Sequence, residues 1–124
     1  MQENKNKISC IIPTCNREEL LKKSIISIFE QTVKPFEIII VNNGNKKIEL
    51  PQEIFNKVII YNINQNSGPS KARNYGVLKS NGDFLAFLDD DDLWNIKYLE
   101  NVLAAIENGV ECIISRLDRL FKNG

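Results

Sequence analysis

Short apolar runs recur along the chain, and between them apolar residues fall at helical spacing. Residues 8–12 form one such run, ended by Pro13, and predict a strand buried on both faces. Asn16 then reads as a helix N-cap with Glu19 as its capping-box partner. Leu21, Ile25 and Ile28 carry that helix to about Gln31. Residues 36–41 predict a second buried strand, closed by the turn signal Asn42-Asn43-Gly44-Asn45. Residues 58–61 predict a third strand, and 62–68 an Asn-rich loop. Pro69 suits the first position of a helix, where its missing N–H is harmless, and that helix runs to about Ser80. Gly82 separates it from a fourth strand at 83–88. Leu99, Val102, Leu103 and Ile106 trace the apolar face of a further helix stopped by Gly109, and 110–115 predict a fifth strand.

Strands alternating with helices define an α/β fold with a mostly parallel sheet and flanking helices. Such sheets bind ligands beyond the carboxyl ends of their strands. The polar clusters lie there: residues 14–17, 42–45, 62–68 and 89–92. A length of 124 residues fits one domain, with residues 1–7 a polar tail and 8–124 the folded portion. With 43% hydrophobic and 26% charged residues the chain has the composition of a globular protein. The formal net charge is zero, which argues against a nucleic-acid partner. No His is present, so imidazole acid–base catalysis and imidazole metal sites are excluded. Cys10, Cys15 and Cys112 lack metal-ligand spacing and read as free thiols of a reducing compartment. With no signal-like or membrane-spanning run, the expected location is cytoplasmic, peripheral at the inner membrane face.

Residues 81–96 hold five acidic side chains and no Lys or Arg, and Asp89, Asp90, Asp91 and Asp92 are consecutive. Carboxylates this close repel, and more strongly in a partly dry cleft. A hard divalent cation such as Mg²⁺ or Mn²⁺ removes the conflict. In an extended segment Asp89 and Asp91 would point the same way. A structural explanation stands beside this one, because Asp before a helix caps it and favours its dipole. That accounts for one or two of the four, but not for an apolar strand that delivers all of them.

Ile11-Ile12-Pro13-Thr14-Cys15-Asn16-Arg17 resembles the opening motif of family 2 glycosyltransferases. So do Ser27-Ile28-Phe29-Glu30-Gln31-Thr32 and Glu37-Ile38-Ile39-Ile40-Val41. Asn66-Ser67-Gly68 with Ala72-Arg73-Asn74-Tyr75-Gly76 resembles the middle motif. Phe87-Leu88 leading into Asp89–Asp92 resembles the strand with the Asp-x-Asp metal motif. The resemblance implies a Rossmann-like GT-A fold that binds a nucleotide-sugar donor, a UDP-sugar, with Mn²⁺ or Mg²⁺. It also implies inverting sugar transfer to a glycan or lipid-linked acceptor in bacterial surface polysaccharide synthesis. Carried over by position, Asp89 and Asp91 are the metal ligands, and Asp89 and Asp90 also lie at the phosphate or donor sugar. Pro13, Thr14, Asn16, Arg17 and Asn43 line the nucleotide pocket, and Arg73 meets phosphate or sugar oxygens. Asn66 and Asn74 fit either polar contacts to the donor or local turn and cap roles.

The chain departs from the family pattern in three ways. Asn42 and Asn43 stand where the family usually has two Asp, the second accepting the uracil imide N–H. Asn43 can accept or donate, so broadened base selection is expected. Cys15 stands where an aromatic often stacks on the base. No acid occupies a family motif for the general base, so the expectation is a truncated, donor-binding half without the acceptor half. Two alternatives remain. One is a non-catalytic remnant that self-associates through exposed apolar surface, with Leu117, Leu120 and Phe121 as candidates. The other is a sugar nucleotidylyltransferase, disfavoured because residues 13–16 lack a glycine-rich phosphate loop.

Overall fold

The computed structural model describes residues 6–64 and 67–112. Its elements follow in the order β1 (Ile8–Thr14), α1 (Glu18–Phe29), β2 (Glu37–Asn42), α2 (Gln52–Phe55), β3 (Ile59–Asn62), α3 (Pro69–Lys79), β4 (Phe84–Phe87) and α4 (Tyr98–Glu107). The four strands form one sheet in the order β3-β2-β1-β4, and every pairing is parallel.

Burial follows the two-residue period of a pleated strand. Ile8, Cys10 and Ile12 of β1 join Ile38 and Ile40 of β2 against Leu21, Ile25 and Ile28 of α1 and Leu99 of α4. Ile11, Ile39 and Val41 face the other way, toward Ala72 of α3. All seven residues of β1 are buried, as a central parallel strand requires. The chain moves outward from β1 to β3, then returns across the sheet to place β4 beside β1. Right-handed crossovers in opposite directions put α1 and α3 on opposite faces. The reversal makes the gap between β1 and β4 the topological switch point.

The predicted strands and the Pro69 helix appear with bounds shifted by one or two residues. Three details differ. Asn16 is not the cap of α1. It adopts a left-handed φ of 55°, and Arg17 precedes the helix without a side-chain cap bond. Asparagine tolerates that conformation, which brings Asn16 against the Gly44 backbone, where a Cβ would lie 2.4 Å from Asn16 Oδ1. Glu19 pairs instead with Lys22. The short α2 has too few residues to show a helical period. Residues 110–112 form no strand, and the rest of the fifth predicted strand, with Leu117, Leu120 and Phe121, lies outside the described residues.

Helix α3 approaches β1 closely at Gly76, where a Cβ would lie 2.6 Å from Ile11 Cγ2. Ile11 is fully buried and branched at Cβ, so it cannot swing aside. Gly76→Ala gains helix propensity of roughly 1 kcal/mol but overpacks this contact by about 1–3 kcal/mol. Urea unfolding is expected to show a net loss of stability in the variant, and a gain would contradict this packing.

Candidate functional site

The loops after β1, β2 and β4 meet above the switch point. Buried Leu88 continues β4 into the acidic residues, and its N–H bonds to the Ile11 carbonyl at 3.1 Å. Residues 89–92 form a turn in which the Asp92 N–H reaches the Asp89 carbonyl at 3.1 Å. The expected extended segment is therefore corrected. The turn, rather than strand alternation, gathers carboxylate oxygens of Asp89, Asp91 and Asp92 within 4.8 Å of one another.

Asp90 points elsewhere, toward β1. It accepts the Thr14 hydroxyl at 2.8 Å and lies 3.4 Å from Arg17 Nη1. The residue is 6% exposed, and burial pushes its carboxyl above the ordinary range. The Thr14 bond and the Arg17 charge oppose that rise, and the Asp91 charge adds to it. Arg17 Nη1 also lies 3.3 Å from Asp91, and Arg73 Nη2 on α3 donates to Asp89 at 2.9 Å. Both guanidiniums keep solvent-facing surface, with side chains 51% and 36% exposed. They offset carboxylate repulsion and retain free N–H donors for an anionic ligand.

The two asparagines after β2 divide their work. Asn42 Nδ2 donates to the Lys46 carbonyl and to Asn62 Oδ1, both at 2.9 Å, and its Oδ1 accepts the Gly44 N–H at 2.9 Å. It closes the loop, and an aspartate could not make the two donations. The Asn43 N–H bonds to the Thr14 carbonyl at 3.0 Å, tying this loop to β1. Asn43 is one of the residues that line the cleft.

One cleft thus brings together Pro13, Thr14, Arg17 and Asn43 with Arg73 and the carboxylates of Asp89, Asp90 and Asp91. Asn16 lies outside it, in an adjoining depression with Lys46 and Lys47. Asn66 falls outside the described residues, and Asn74 is exposed on α3. Asp92, Lys46 and Lys47 are neighbours of the site that the linear pattern passed over. Strand alternation groups only Asp89 and Asp91, whereas the turn adds Asp92 to them. Pro69 borders the cleft and Cys15 sits exposed on its rim.

An all-parallel sheet with an acidic cleft at its switch point defines an α/β domain of the Rossmann-like type. Residues 9–124 match Glycosyl transferase family 2, and the chain belongs to that family, with a GT-A fold. An uncharacterized glycosyltransferase of Rickettsia bellii is 40% identical over 105 residues, covering 82% of this chain and 15% of the relative. The GalNAc(5)-diNAcBac-PP-undecaprenol beta-1,3-glucosyltransferase of Campylobacter jejuni is 39% identical over 92 residues, covering 69% of this chain and 30% of that protein. The crystal structure of S. aureus TarS 1-349 in complex with UDP-GlcNAc superposes with a TM-score of 0.72 at 27% identity. That superposition covers 82% of this chain and 31% of TarS 1-349. The chain therefore spans less than a third of each of these relatives.

The thiols report on this arrangement. Cys10 is fully buried, which pushes its thiol far above the ordinary range, whereas Cys15 and Cys112 are exposed. A thiol reagent is expected to modify Cys15 and Cys112 in the native chain and Cys10 only on unfolding. A ligand filling the cleft should slow Cys15 and leave Cys112 unchanged. Rapid native labelling of Cys10 would contradict the burial of β1.

Proposed function

We propose that this chain is the donor-binding part of an inverting, metal-dependent glycosyltransferase. The donor is a nucleotide-sugar, a UDP-sugar by likeness to the TarS complex. The acceptor is a glycan or lipid-linked saccharide of bacterial surface glycan synthesis, by likeness to the undecaprenol-dependent Campylobacter enzyme. The observation that carries the reading is the convergence of the Asp89, Asp91 and Asp92 oxygens within 4.8 Å, with Asp89 and Asp91 on a cleft shared with Thr14, Asn43 and Arg73.

These hard oxygen donors fit Mn²⁺ or Mg²⁺, and Asp89 and Asp91 are the ligands assigned to it. A bound ion of this kind supplies Lewis-acid stabilisation of the departing diphosphate. The chain's own side chains do the rest of the donor binding. Arg73 and Arg17 offer N–H groups to diphosphate oxygens, held in place beforehand by Asp89, Asp90 and Asp91. Thr14 keeps Asp90 turned toward β1. Asn43 presents its amide to the base. The general base that takes the acceptor proton is assigned to the acceptor half of the whole enzyme, so this chain alone should transfer little sugar.

Calorimetric titration of UDP with and without Mn²⁺ tests the reading. Binding should require Mn²⁺ and weaken at least about tenfold in Asp91→Ala. Absence of binding under both conditions would overturn it in favour of a non-catalytic module. Asn43→Asp restores an acceptor-only group, so it should sharpen the preference for UDP over CDP. An identical base preference in the two chains would remove Asn43 from base selection.

A further inference from the structure

Helix α1 and the residues just after it carry a buried polar line beside an apolar face. Ser24 and Gln31 are almost fully buried and Ser27 is 8% exposed. A spacing of three residues places Ser24 and Ser27 on one side of the helix, and Gln31 follows two residues beyond its end. Every polar atom along this line bonds to main chain, and most of those bonds reach the segment between β4 and α4. The Ser24 hydroxyl donates to the Asp92 carbonyl at 2.6 Å, with the Asp89 carbonyl 3.4 Å away. The Ser27 hydroxyl donates to the Ser24 carbonyl at 2.7 Å and accepts the Trp94 N–H at 3.3 Å. Gln31 Nε2 donates to the Asn95 carbonyl at 2.6 Å and to the Ser27 carbonyl at 3.2 Å. Gln31 Oε1 accepts the Leu99 N–H at 2.8 Å. Since Lys97 gives α4 no side-chain cap, Gln31 caps that helix from across the interface.

We propose that Ser24, Ser27 and Gln31 are positioning residues for the acidic turn, setting the geometry in which it holds a divalent cation. This rests on the metal-site reading above. Two physical points support it. First, the bonds go to the last residue of the turn, Asp92, and to Trp94, Asn95 and Leu99 that follow it, so they anchor the end at which the turn leaves toward α4. Second, the line runs along an interface packed by Leu21, Ile25 and Ile28 against Leu99 and Trp94, with Thr32 adding bonds to Ile96 and Glu100 at its end. Apolar residues would suffice to bury that surface, and directional bonds add geometric definition that packing alone does not. Groups that orient metal ligands from behind typically change metal affinity by about 10–100-fold when removed.

Ser24→Ala and Gln31→Met remove hydrogen bonds at near-constant volume, and Ser24→Thr restores the hydroxyl. Two readouts on the 124-residue chain test the proposal. Mn²⁺ affinity by electron paramagnetic resonance should fall about tenfold in Ser24→Ala and Gln31→Met and recover in Ser24→Thr. Amide hydrogen exchange at residues 89–99 should accelerate in the first two variants while β1 and β2 stay protected. That second readout needs no metal, so it decides the positioning role even if wild type fails to bind Mn²⁺, an outcome that would sink the metal reading instead. Unchanged exchange at 89–99 overturns the proposal. So does acceleration spread evenly over the whole sheet, which would mark these residues as merely structural.

Discussion

Four adjacent carboxylates at the end of one strand repel one another, and the architecture around them answers that repulsion. Two unit charges 4 Å apart near a protein surface interact by about 4 kcal/mol. The turn at 89–92 sends Asp90 toward Thr14 and Arg17 and leaves the other three close together. Arg73 and Arg17 offset Asp89 and Asp91 from two different elements, one after β1 and one on α3. Burial pushes the Asp90 carboxyl upward, and the Asp91 charge adds to that rise. A fold that gathers like charges against their own repulsion has arranged them for something other than stability.

Topology is what brings the compensating groups within reach. With β1 central and β4 added on its far side, the carboxyl ends of both strands open at one place. Arg17 follows β1 directly, Asn43 is tied to Thr14 by a main-chain bond, and Arg73 lies one turn into α3. The close approach of α3 at Gly76 lets that helix lie against β1 and β2. The core and the cleft are therefore coupled at α3, which covers one face of the sheet and carries Pro69 and Arg73 of the cleft.

Much of this was legible from residue order. Apolar runs such as 8–12 and 36–41 mark strands because both faces of a parallel sheet are covered, and Pro69 marks a helix start because its missing N–H costs nothing there. The acidic run announced itself by charge density alone. Less legible was everything set by contacts across the chain. Asn16 has the composition of a cap but serves as a left-handed residue packed on Gly44, a partner 28 positions away. The grouping of Asp92 with Asp89 and Asp91 depends on a turn that strand alternation does not foresee. Ser24 and Ser27 of α1 and Gln31 just beyond it look like surface residues until the segment they bond is placed against them. Bonds from side chains to distant main chain leave no period in the sequence.

The central claim is that a divalent cation and a nucleotide diphosphate share the cleft at the switch point. Paramagnetic broadening of amide resonances by Mn²⁺ in the presence of UDP tests it most directly. Thr14, Asn43, Arg73 and the amides of 89–92 should broaden first, at low Mn²⁺, while α2 and the far edge at β3 stay sharp. Broadening scattered over exposed acids such as Glu53 and Glu107, or none in the cleft, would contradict it.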